Sequence, residues 1–204
     1  MVVPTTKIQA VNTLLDVISE SPVTTLGENA DATAAETVLD EVNMRVQSRG
    51  WYFNTHIQDL TINESGKFPL GTSVSRFDWP RSSPDDPDLV LRFIEDGAAE
   101  VYDRKNNTTT FEVGKVFKDC HITSLLEFTR LPEAARQFIM ISAARTFQAR
   151  RLTSNQRERF SFEQERRAEA EMKREELKAG DFSSFSSPIA NNILHRRAPL
   201  NFRY

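Results

Sequence analysis

The chain has 204 residues, of which 39% are hydrophobic and 27% are charged, and its formal net charge is −3. This length is enough to bury one core of useful size, so we predict one domain with an appendage. The near-neutral charge excludes a generally basic nucleic-acid coat, and the single cysteine, Cys120, excludes a disulfide framework and a zinc site built from several cysteines.

Two amphipathic helices are predicted at the N-terminus, because apolar residues recur there at the spacing of one helix face. Thr5 or Thr6 can cap the first helix, and Asn29 or Asp31 can cap the second. Gly50 stands where the second helix should end. Each helix has one apolar face and must therefore dock on another element. The two stripes comprise Ile8, Val11, Leu14, Leu15 and Ile18, and then Ala35, Val38, Leu39, Val42 and Val46.

From Trp51 to about Leu131 the pattern changes to short segments rich in β-branched and aromatic residues, which predicts an antiparallel β platform. A hairpin is predicted in which residues 105–108 form the turn. The segment 77–87 contains three prolines and predicts an irregular surface loop. The candidate strands are 52–62, 88–95, 98–104, 109–114 and one or two within 116–129.

The C-terminal part is predicted to contain two contrasting helices and a tail. Pro132 fits the first position of a third helix, whose run 138–144 is apolar on nearly every side and predicts a central, buried helix. Residues 153–179 predict a helix that is polar nearly all round, typical of a solvent-bridging arm or a strut between subunits. The segment 180–204 carries aromatic and apolar residues at no fixed period, which predicts an extended peptide that orders on a partner.

These patterns together predict an α+β fold, in which a helical bundle carries an inserted antiparallel β platform and an extended C-terminal tail. No stretch approaches the roughly 18–20 apolar residues that span a bilayer, and the N-terminus lacks the features of a secretory signal. We therefore expect a soluble protein of a reducing compartment. The predicted parts are an N-terminal helical hairpin (1–50), the β platform (51–131), the C-terminal bundle helices and arm (132–179) and a docking tail (180–204).

Sequence motifs for catalysis are missing. No helical His-x-x-x-His pair and no glycine-rich phosphate loop is present. Cys120 precedes a histidine directly, but neighbours on a strand point to opposite faces and cannot act together as nucleophile and base. An alternative enzyme could use acidic residues such as Asp85 and Glu95, but nothing fixes a carboxylate pair at a working separation. We expect no catalysis, no cofactor and no metal; the scattered histidines are His56, His121 and His195.

Two charged groups each admit two interpretations. Asp85, Asp86 and Asp88 could bind Ca²⁺ or Mg²⁺, but Pro87 interrupts them and the spacing is not that of an EF-hand, which favours a solvated acidic loop. A basic cluster within 145–159 is either a solvated helix end or a patch that faces an acidic partner or phosphates. The latter gives an alternative function, nucleic-acid binding, although a helix-turn-helix pattern is lacking. The cluster comprises Arg145, Arg150, Arg151, Arg157 and Arg159.

The N-terminal part of the chain contains a specific sequence signature. Its residues are Ala10-Val11-Asn12, Leu15, Ile18, Glu20, Pro22-Val23, Thr25-Leu26, Asn29-Ala30-Asp31, Val38-Leu39, Val42-Asn43, Gln47-Ser48-Arg49-Gly50-Trp51 and Phe53-Asn54. In this order and spacing the chain resembles the tail tubular protein A family, adaptors that join head to tail in short-tailed, podovirus-type bacteriophages. Ser19 and Ser21 depart from the signature, since they stand where Gly and a varied residue are usual. The resemblance is close over 8–54 and loose over 98–150.

The resemblance implies a structural virion protein without catalysis. It would be a ring-forming head-to-tail adaptor that links the portal to the tail nozzle and forms part of the DNA ejection channel. The family's ring is a dodecamer, so the implied partners are other copies of the chain, the portal protein, a nozzle protein similar to tail tubular protein B, and passing double-stranded DNA, but no membrane. The implied location is the tail and neck of the virion, after assembly in the host cytoplasm.

With this resemblance, the tail and the arm become the candidate binding sites. Aromatic and apolar anchors usually dominate such contacts. The predicted portal-binding residues of the tail are Phe182, Phe185, Ile189, Leu194, Arg196, Arg197, Phe202, Arg203 and Tyr204. The predicted subunit-interface residues of the arm are Arg157, Arg159, Glu163, Arg166 and Arg167.

Overall fold

The computed structural model describes residues 4–81, 83, 85–94, 97–151 and 161–179. These residues form four α-helices and two antiparallel sheets, so the fold is α+β, as predicted. The helices are α1 (Lys7–Val17), α2 (Ala30–Gln47), α3 (Glu133–Arg151) and α4 (Phe162–Ala179), and a short 3-10 turn covers Phe128–Arg130. The strands are β1 (Thr55–Thr61), β2 (Val74–Asp78), β3 (Leu89–Phe93), β4 (Ala99–Asp103) and β5 (Val116–Ser124).

The first two helices begin at side-chain caps. The N–H of Gln9 donates to the Thr6 hydroxyl at 3.2 Å, and the N–H of Thr6 donates to Oε1 of Gln9 at 2.8 Å, which is a capping box. At α2, Oδ1 of Asn29 accepts the N–H of Ala32 at 2.7 Å. The structure therefore selects Thr6 and Asn29 from the two pairs of predicted caps.

Helix α3 is central, as predicted, because it contacts α1, α2 and α4. Its inward side chains are inaccessible to solvent: Ile139 and Ala143 are 0% exposed, and Phe147 is 1% exposed. The one-sided stripes of α1 and α2 dock on this helix and form the core of the bundle. Burial of this apolar surface is the main favourable contribution to folding of the helices.

The platform has a core of its own. Strand β5 lies between β1 and β2 in a three-stranded sheet, and β3 pairs with β4 in a separate hairpin. Phe68 stands at the centre of this second core, with ring centroids 4.8 Å from Phe117 and 5.3 Å from Phe77. The hairpin contributes Val101, which is 2% exposed. The two sheets are thus held together by aromatic and branched side chains.

One predicted loop contains the end of a strand. Phe77 and Asp78 belong to β2 and pair with Ile122 and His121 of β5, whereas the three prolines of 77–87 predicted an irregular segment throughout. The loop prediction was wrong at these two residues because pairing with a central strand outweighs the local conformational preferences of a short segment.

The predicted strand 109–114 is absent, and of the predicted hairpin around 105–108 only the turn and one antiparallel bridge form. Strand β4 pairs with β3, and its last residue, Asp103, forms a single antiparallel bridge with Thr108. The Asp103 carboxylate is 2% exposed and accepts hydrogen bonds from the N–H of Asp88 at 3.0 Å and the amide of Asn106 at 2.5 Å. Burial alone would raise the pKa of Asp103, but these hydrogen bonds outweigh it and the pKa is lowered. The buried carboxylate thus closes a tight turn.

The charged helix is shorter than predicted. The hydroxyl of Ser161 accepts the N–H of Gln164 at 3.3 Å, and the N–H of Ser161 donates to Oε1 of Gln164 at 2.9 Å. This capping box begins α4 at Phe162, so one continuous helix over 153–179 is wrong. Residues 152–160 and 180–204 lie outside the described residues. Within the described ranges, no helix has the length and apolar character needed to cross a membrane.

Candidate assembly surfaces

The side chain of Gln47 connects the helical bundle to the β platform by hydrogen bonds. This side chain is fully buried at the C-terminus of α2. The amide oxygen accepts the N–H of Leu126 at 2.8 Å, and the amide nitrogen donates to the carbonyl of Leu126 at 2.8 Å. Leu126 lies between β5 and α3. One glutamine side chain therefore pairs with the backbone of the segment that returns from the platform to the bundle.

The rest of the signature forms the turn that leads into β1. Oδ1 of Asn54 accepts the N–H of Trp51 at 2.8 Å, and Nδ2 of Asn54 donates to the carbonyl of Gln47 at 2.9 Å. Gly50 has a φ of +79°, and a Cβ there would approach two threonine hydroxyls at 3.2 and 3.3 Å. Gly50 is therefore required on two grounds, its backbone conformation and the lack of space.

Asn12 plays the same role in the loop between α1 and α2. Its Nδ2 donates to the carbonyl of Val23 at 3.0 Å, and its Oδ1 accepts the N–H of Val23 at 2.9 Å. The amides of the signature therefore specify the fold rather than a binding site. These roles were not predicted from the sequence, although an amide within an apolar helix stripe, as at Gln47, is a signal for a buried hydrogen-bonding group.

A cleft opens beside this junction, between the end of α2, the outer face of the sheet and the last turn of α4. Its volume is about 370 Å³, near the lower end of the ~300–1,000 Å³ typical of ligand sites. Trp51 lies at its floor and is 5% exposed, whereas Tyr52 is 38% and Ile57 59% exposed. The sequence does not predict this cleft, because its walls come from four separate segments of the chain.

The charges around the cleft are of both signs. Nη1 of Arg49 lies 3.5 Å from Oε1 of Glu169, and Nη2 of Arg76 lies 3.8 Å from Oδ2 of Asp78. Burial raises the pKa of Glu176, and burial together with nearby carboxylates of α4 raises the pKa of the Tyr52 hydroxyl. The cleft therefore suits an apolar or aromatic side chain better than a strongly charged ligand.

The described residues of the predicted arm interface lie at the start of α4. Glu163, Arg166 and Arg167 are exposed, and Glu163 forms an ion pair with Arg167 one turn along the helix. The guanidinium of Arg166 lies 5.9 Å from the ring centre of Phe162, which is 58% exposed. These residues are accessible to another subunit, and their role in an interface stays a prediction.

The inner face of α4 is docked on the bundle of its own chain. Met172 is 1% exposed, and Ala168 is half-buried. Glu165 accepts hydrogen bonds from the hydroxyl of Ser142 and from Nη1 of Arg145, both at 2.5 Å. The prediction of a solvent-bridging arm is therefore wrong. This helix contains few large apolar residues, so its narrow stripe of half-buried side chains was not evident from the sequence.

The remaining predicted binding residues cannot be placed. They lie outside the described residues. In the arm they are Arg157 and Arg159, and in the tail they are Phe182, Phe185, Ile189, Leu194, Arg196, Arg197, Phe202, Arg203 and Tyr204.

The described members of the basic cluster are paired within the chain. Arg150 lies 2.7 Å from Glu41, and Arg151 lies 3.3 Å from Asp31. The hydrogen bond from Arg150 lowers the pKa of Glu41. Arg145 pairs with α4 as described above. Each of these guanidinium groups therefore already faces a carboxylate, which reduces the attraction of the cluster for phosphates.

The acidic loop also faces cations of its own chain. Asp88 lies 2.7 Å from Arg104 and 3.8 Å from Arg81, and Asp85 lies 3.9 Å from Lys105. Among the described residues, no group of three or more His, Cys, Asp or Glu side chains could hold a metal ion. The arginines therefore occupy the position that a cation would take beside Asp88.

Cys120 and His121 point to opposite faces of β5, as predicted. Cys120 is 0% exposed, and its thiol donates to the carbonyl of Phe117 at 3.3 Å. Burial raises the pKa of this thiol to about 11, so a thiolate nucleophile is disfavoured. His121 is exposed on the other face. The two side chains therefore do not face each other as a nucleophile and its base would.

The sequence of the chain matches a known protein family. Residues 8–182 match the tail tubular protein family, and because this range covers most of the sequence, the chain belongs to that family. The match confirms the resemblance noted in the sequence and extends it over the platform and all four helices. Tail tubular proteins are structural rather than enzymatic, so the chain is a structural component of a bacteriophage tail. No curated protein matches the chain.

Proposed function

We propose that the protein is the ring-forming adaptor between the portal and the tail nozzle of a short-tailed bacteriophage, and that the ring surrounds part of the DNA ejection channel. Membership of the tail tubular protein family over residues 8–182 is the observation that carries this proposal. Assembly takes place on the portal in the host cytoplasm, and a dodecamer is the ring size that the family resemblance implies. The ring's other face meets the nozzle.

Exposed apolar side chains on separate elements support a closed ring. A cyclic assembly uses heterologous contacts, in which one patch meets a different patch of the next subunit. On α4, Phe162 and Leu177 are 58% and 62% exposed. At the tip of the β3–β4 hairpin, Phe93 and Ile94 are 59% and 49% exposed. We propose that the outer face of α4 forms one of the two patches, together with the predicted arm residues Arg157, Arg159, Glu163, Arg166 and Arg167.

The C-terminal segment is the proposed portal contact. It follows directly from Ala179 at the end of α4, and six of its nine predicted binding residues are aromatic or large and apolar. Such residues supply most of the binding energy in protein interfaces. The three arginines at positions 196, 197 and 203 would give this contact its positive charge. The distal end is thus suited to an acidic or mixed surface of the portal.

A weakly charged channel is compatible with DNA passage. Each phosphate contact adds affinity that would slow the sliding of DNA. The net charge of the chain is −3, and Arg145, Arg150 and Arg151 are paired with carboxylates. The same pairing weakens the alternative function, nucleic-acid binding through the cluster at 145–159.

Removal of residues 180–204 tests the proposal. We expect the shortened protein to fold, because the described cores lie within residues 4–179, but not to attach to heads that contain portal. Within the full-length tail, Phe202→Ala with Tyr204→Ala should weaken attachment, whereas Asn191→Ala with Asn192→Ala should not. Sedimentation of labelled protein with purified heads measures the attachment. Undiminished attachment of the shortened protein would contradict the assigned role of the tail.

The mass of the assembly tests the ring itself. Native mass spectrometry with and without portal should give a ring-sized assembly on the portal. A stable small dimer in both conditions would contradict a ring-forming adaptor.

A further inference from the structure

The cleft at the junction leaves apolar side chains uncovered. Ile57 is 59% exposed and Tyr52 is 38% exposed, and both stand above the nearly buried Trp51. Two arginines at the rim are engaged in ion pairs, Arg76 with Asp78 and Arg49 with Glu169. An occupant of this cleft would therefore gain most from aromatic or aliphatic contacts.

The C-terminal end of helix α4 lies beside this cleft. Glu176, on the last turn of α4, lines the cleft, and α4 ends three residues later at Ala179. Because an extended chain spans at most about 3.6 Å per residue, the Cα atom of Phe182 must lie within roughly 11 Å of that of Ala179. Twenty-five residues follow Ala179, and Phe182 and Phe185 are the first aromatic residues among them.

We propose that this cleft binds the beginning of the chain's own C-terminal segment, with the rings of Phe182 and Phe185 packed on Tyr52 and Ile57. An edge-to-face or offset contact with the Tyr52 ring and a guanidinium contact with Arg76 are the interactions that such rings favour. The docking occurs in the free subunit and requires no portal. In the free subunit this docking withdraws Phe182 and Phe185 from the proposed portal contact, and it leaves the distal residues of the segment available to a partner.

Connectivity favours this occupant over a second copy of the chain. A segment joined to the rim by a few residues has an effective concentration in the millimolar range or above, which a separate molecule does not reach at ordinary protein concentrations. The short segment before Phe185 carries one charge, that of Asp181, so its docking requires little desolvation of charged groups.

Limited proteolysis of the full-length protein by chymotrypsin tests the docking. The rate of cleavage after Phe182 and Phe185 is measured relative to cleavage after Phe202 in the same molecule. Ile57→Asp in the cleft should raise this ratio about fivefold or more, because cleavage follows the population of the undocked segment. Val113→Asp is the matched control, since Val113 is a β-branched residue with the same exposure, 59%, outside the cleft.

A second measurement does not depend on the cleft variant. Hydrogen exchange of residues 52–57 should be faster in Phe182→Ala with Phe185→Ala than in the wild-type protein, and unchanged in Phe202→Ala. An equal cleavage ratio in wild type, Ile57→Asp and Val113→Asp, with equal exchange, would overturn the proposal. Protection that increases with protein concentration would also overturn it, because the occupant would then come from a second copy. Both measurements are made without portal, so they are independent of the adaptor function.

Discussion

Ser19 occupies a backbone position that glycine prefers. Its φ is +61°, directly after the end of α1. The N–H of Ser19 donates to the carbonyl of Asp16, and the N–H of Glu20 donates to the carbonyl of Leu15, each at 3.1 Å. This is the hydrogen-bond pattern of a Schellman motif. The departure from the family signature at this position therefore leaves the loop geometry in place, at the cost of a left-handed conformation in a residue with a Cβ.

Replacement of Ser19 by glycine should stabilise the protein. We expect Ser19→Gly to raise the free energy of unfolding by about 0.5–1 kcal/mol, because relief of the left-handed conformation exceeds the added entropy of the unfolded chain. Ser21→Gly is the control, since Ser21 is exposed and has no positive φ, and it should leave stability unchanged or lower it. Urea unfolding followed by circular dichroism measures both. Equal effects of the two substitutions would contradict this explanation.

Helix α4 is attached to the bundle by fewer apolar contacts than the other helices. Met172 is the one buried residue of its range 162–179, whereas α1 and α2 each bury five or more. Much of the remaining inner face consists of carboxylates, such as Glu165 with Arg145 and Glu169 with Arg49. Elements with few buried apolar contacts open at a lower free energy than the rest of a protein. We therefore expect α4 to behave as a separable unit.

Met172→Ala should release α4 without unfolding the bundle. Removal of a buried methionine side chain costs about 2–5 kcal/mol, which is large compared with the few contacts that hold this helix. Amide hydrogen exchange over 162–179 should become faster, while exchange in α1, α2 and α3 should change little. Leu177→Ala is the matched control on the same helix, because Leu177 is 62% exposed and its removal should have no measurable effect. A uniform increase of exchange throughout the bundle would show that α4 is not separable.

The whole molecule consists of two cores that the amides of Gln47 and Asn54 connect. The bundle core and the platform core are separate clusters of buried residues. Gln47 bonds with both polar groups of Leu126, and its own carbonyl accepts the amide of Asn54. The relative position of bundle and platform therefore depends on buried hydrogen bonds in addition to apolar contacts.

Gln47→Leu should weaken this connection. The substitution keeps the volume but leaves the N–H and the carbonyl of Leu126 buried without partners, so we expect a loss of about 2–4 kcal/mol in the free energy of unfolding. Gln58→Leu, at an exposed position of β1, should change stability by less than about 0.5 kcal/mol. Urea unfolding, with fluorescence as probe, measures both variants. A loss below that of the control would mean that apolar contacts alone hold the junction.

The predictable parts of the fold were those governed by local periodicity. The stripes of α1 and α2 and the apolar run of α3 gave the bundle, because a helix face repeats every three to four residues within one segment. Strand β2 was missed because its pairing partner, β5, lies more than forty residues away in the chain. The second strand of the predicted hairpin is absent for a related reason: β4 pairs with β3, a partner that the local turn signal does not contain.

The candidate sites also include one that local sequence spacing predicted and one that it did not. The exposed charged residues of the arm, such as Glu163 and Arg167, were evident from their i,i+4 spacing, and their accessibility follows from that pattern. The cleft was not predictable, because Tyr52, Arg76 and Glu176 come from a turn, a strand and a helix that only packing brings together.

The sequence by itself determined the α+β class, the three bundle helices up to α3, and the family to which the chain belongs, because caps, stripes and a spaced signature are all local patterns. The tertiary structure decided which strands pair, that one face of α4 packs on α3, and that Gln47 bonds with the backbone of Leu126. These features depend on long-range pairing and buried hydrogen bonds. Their free energy arises only when segments far apart in the chain meet, so no single segment reveals them.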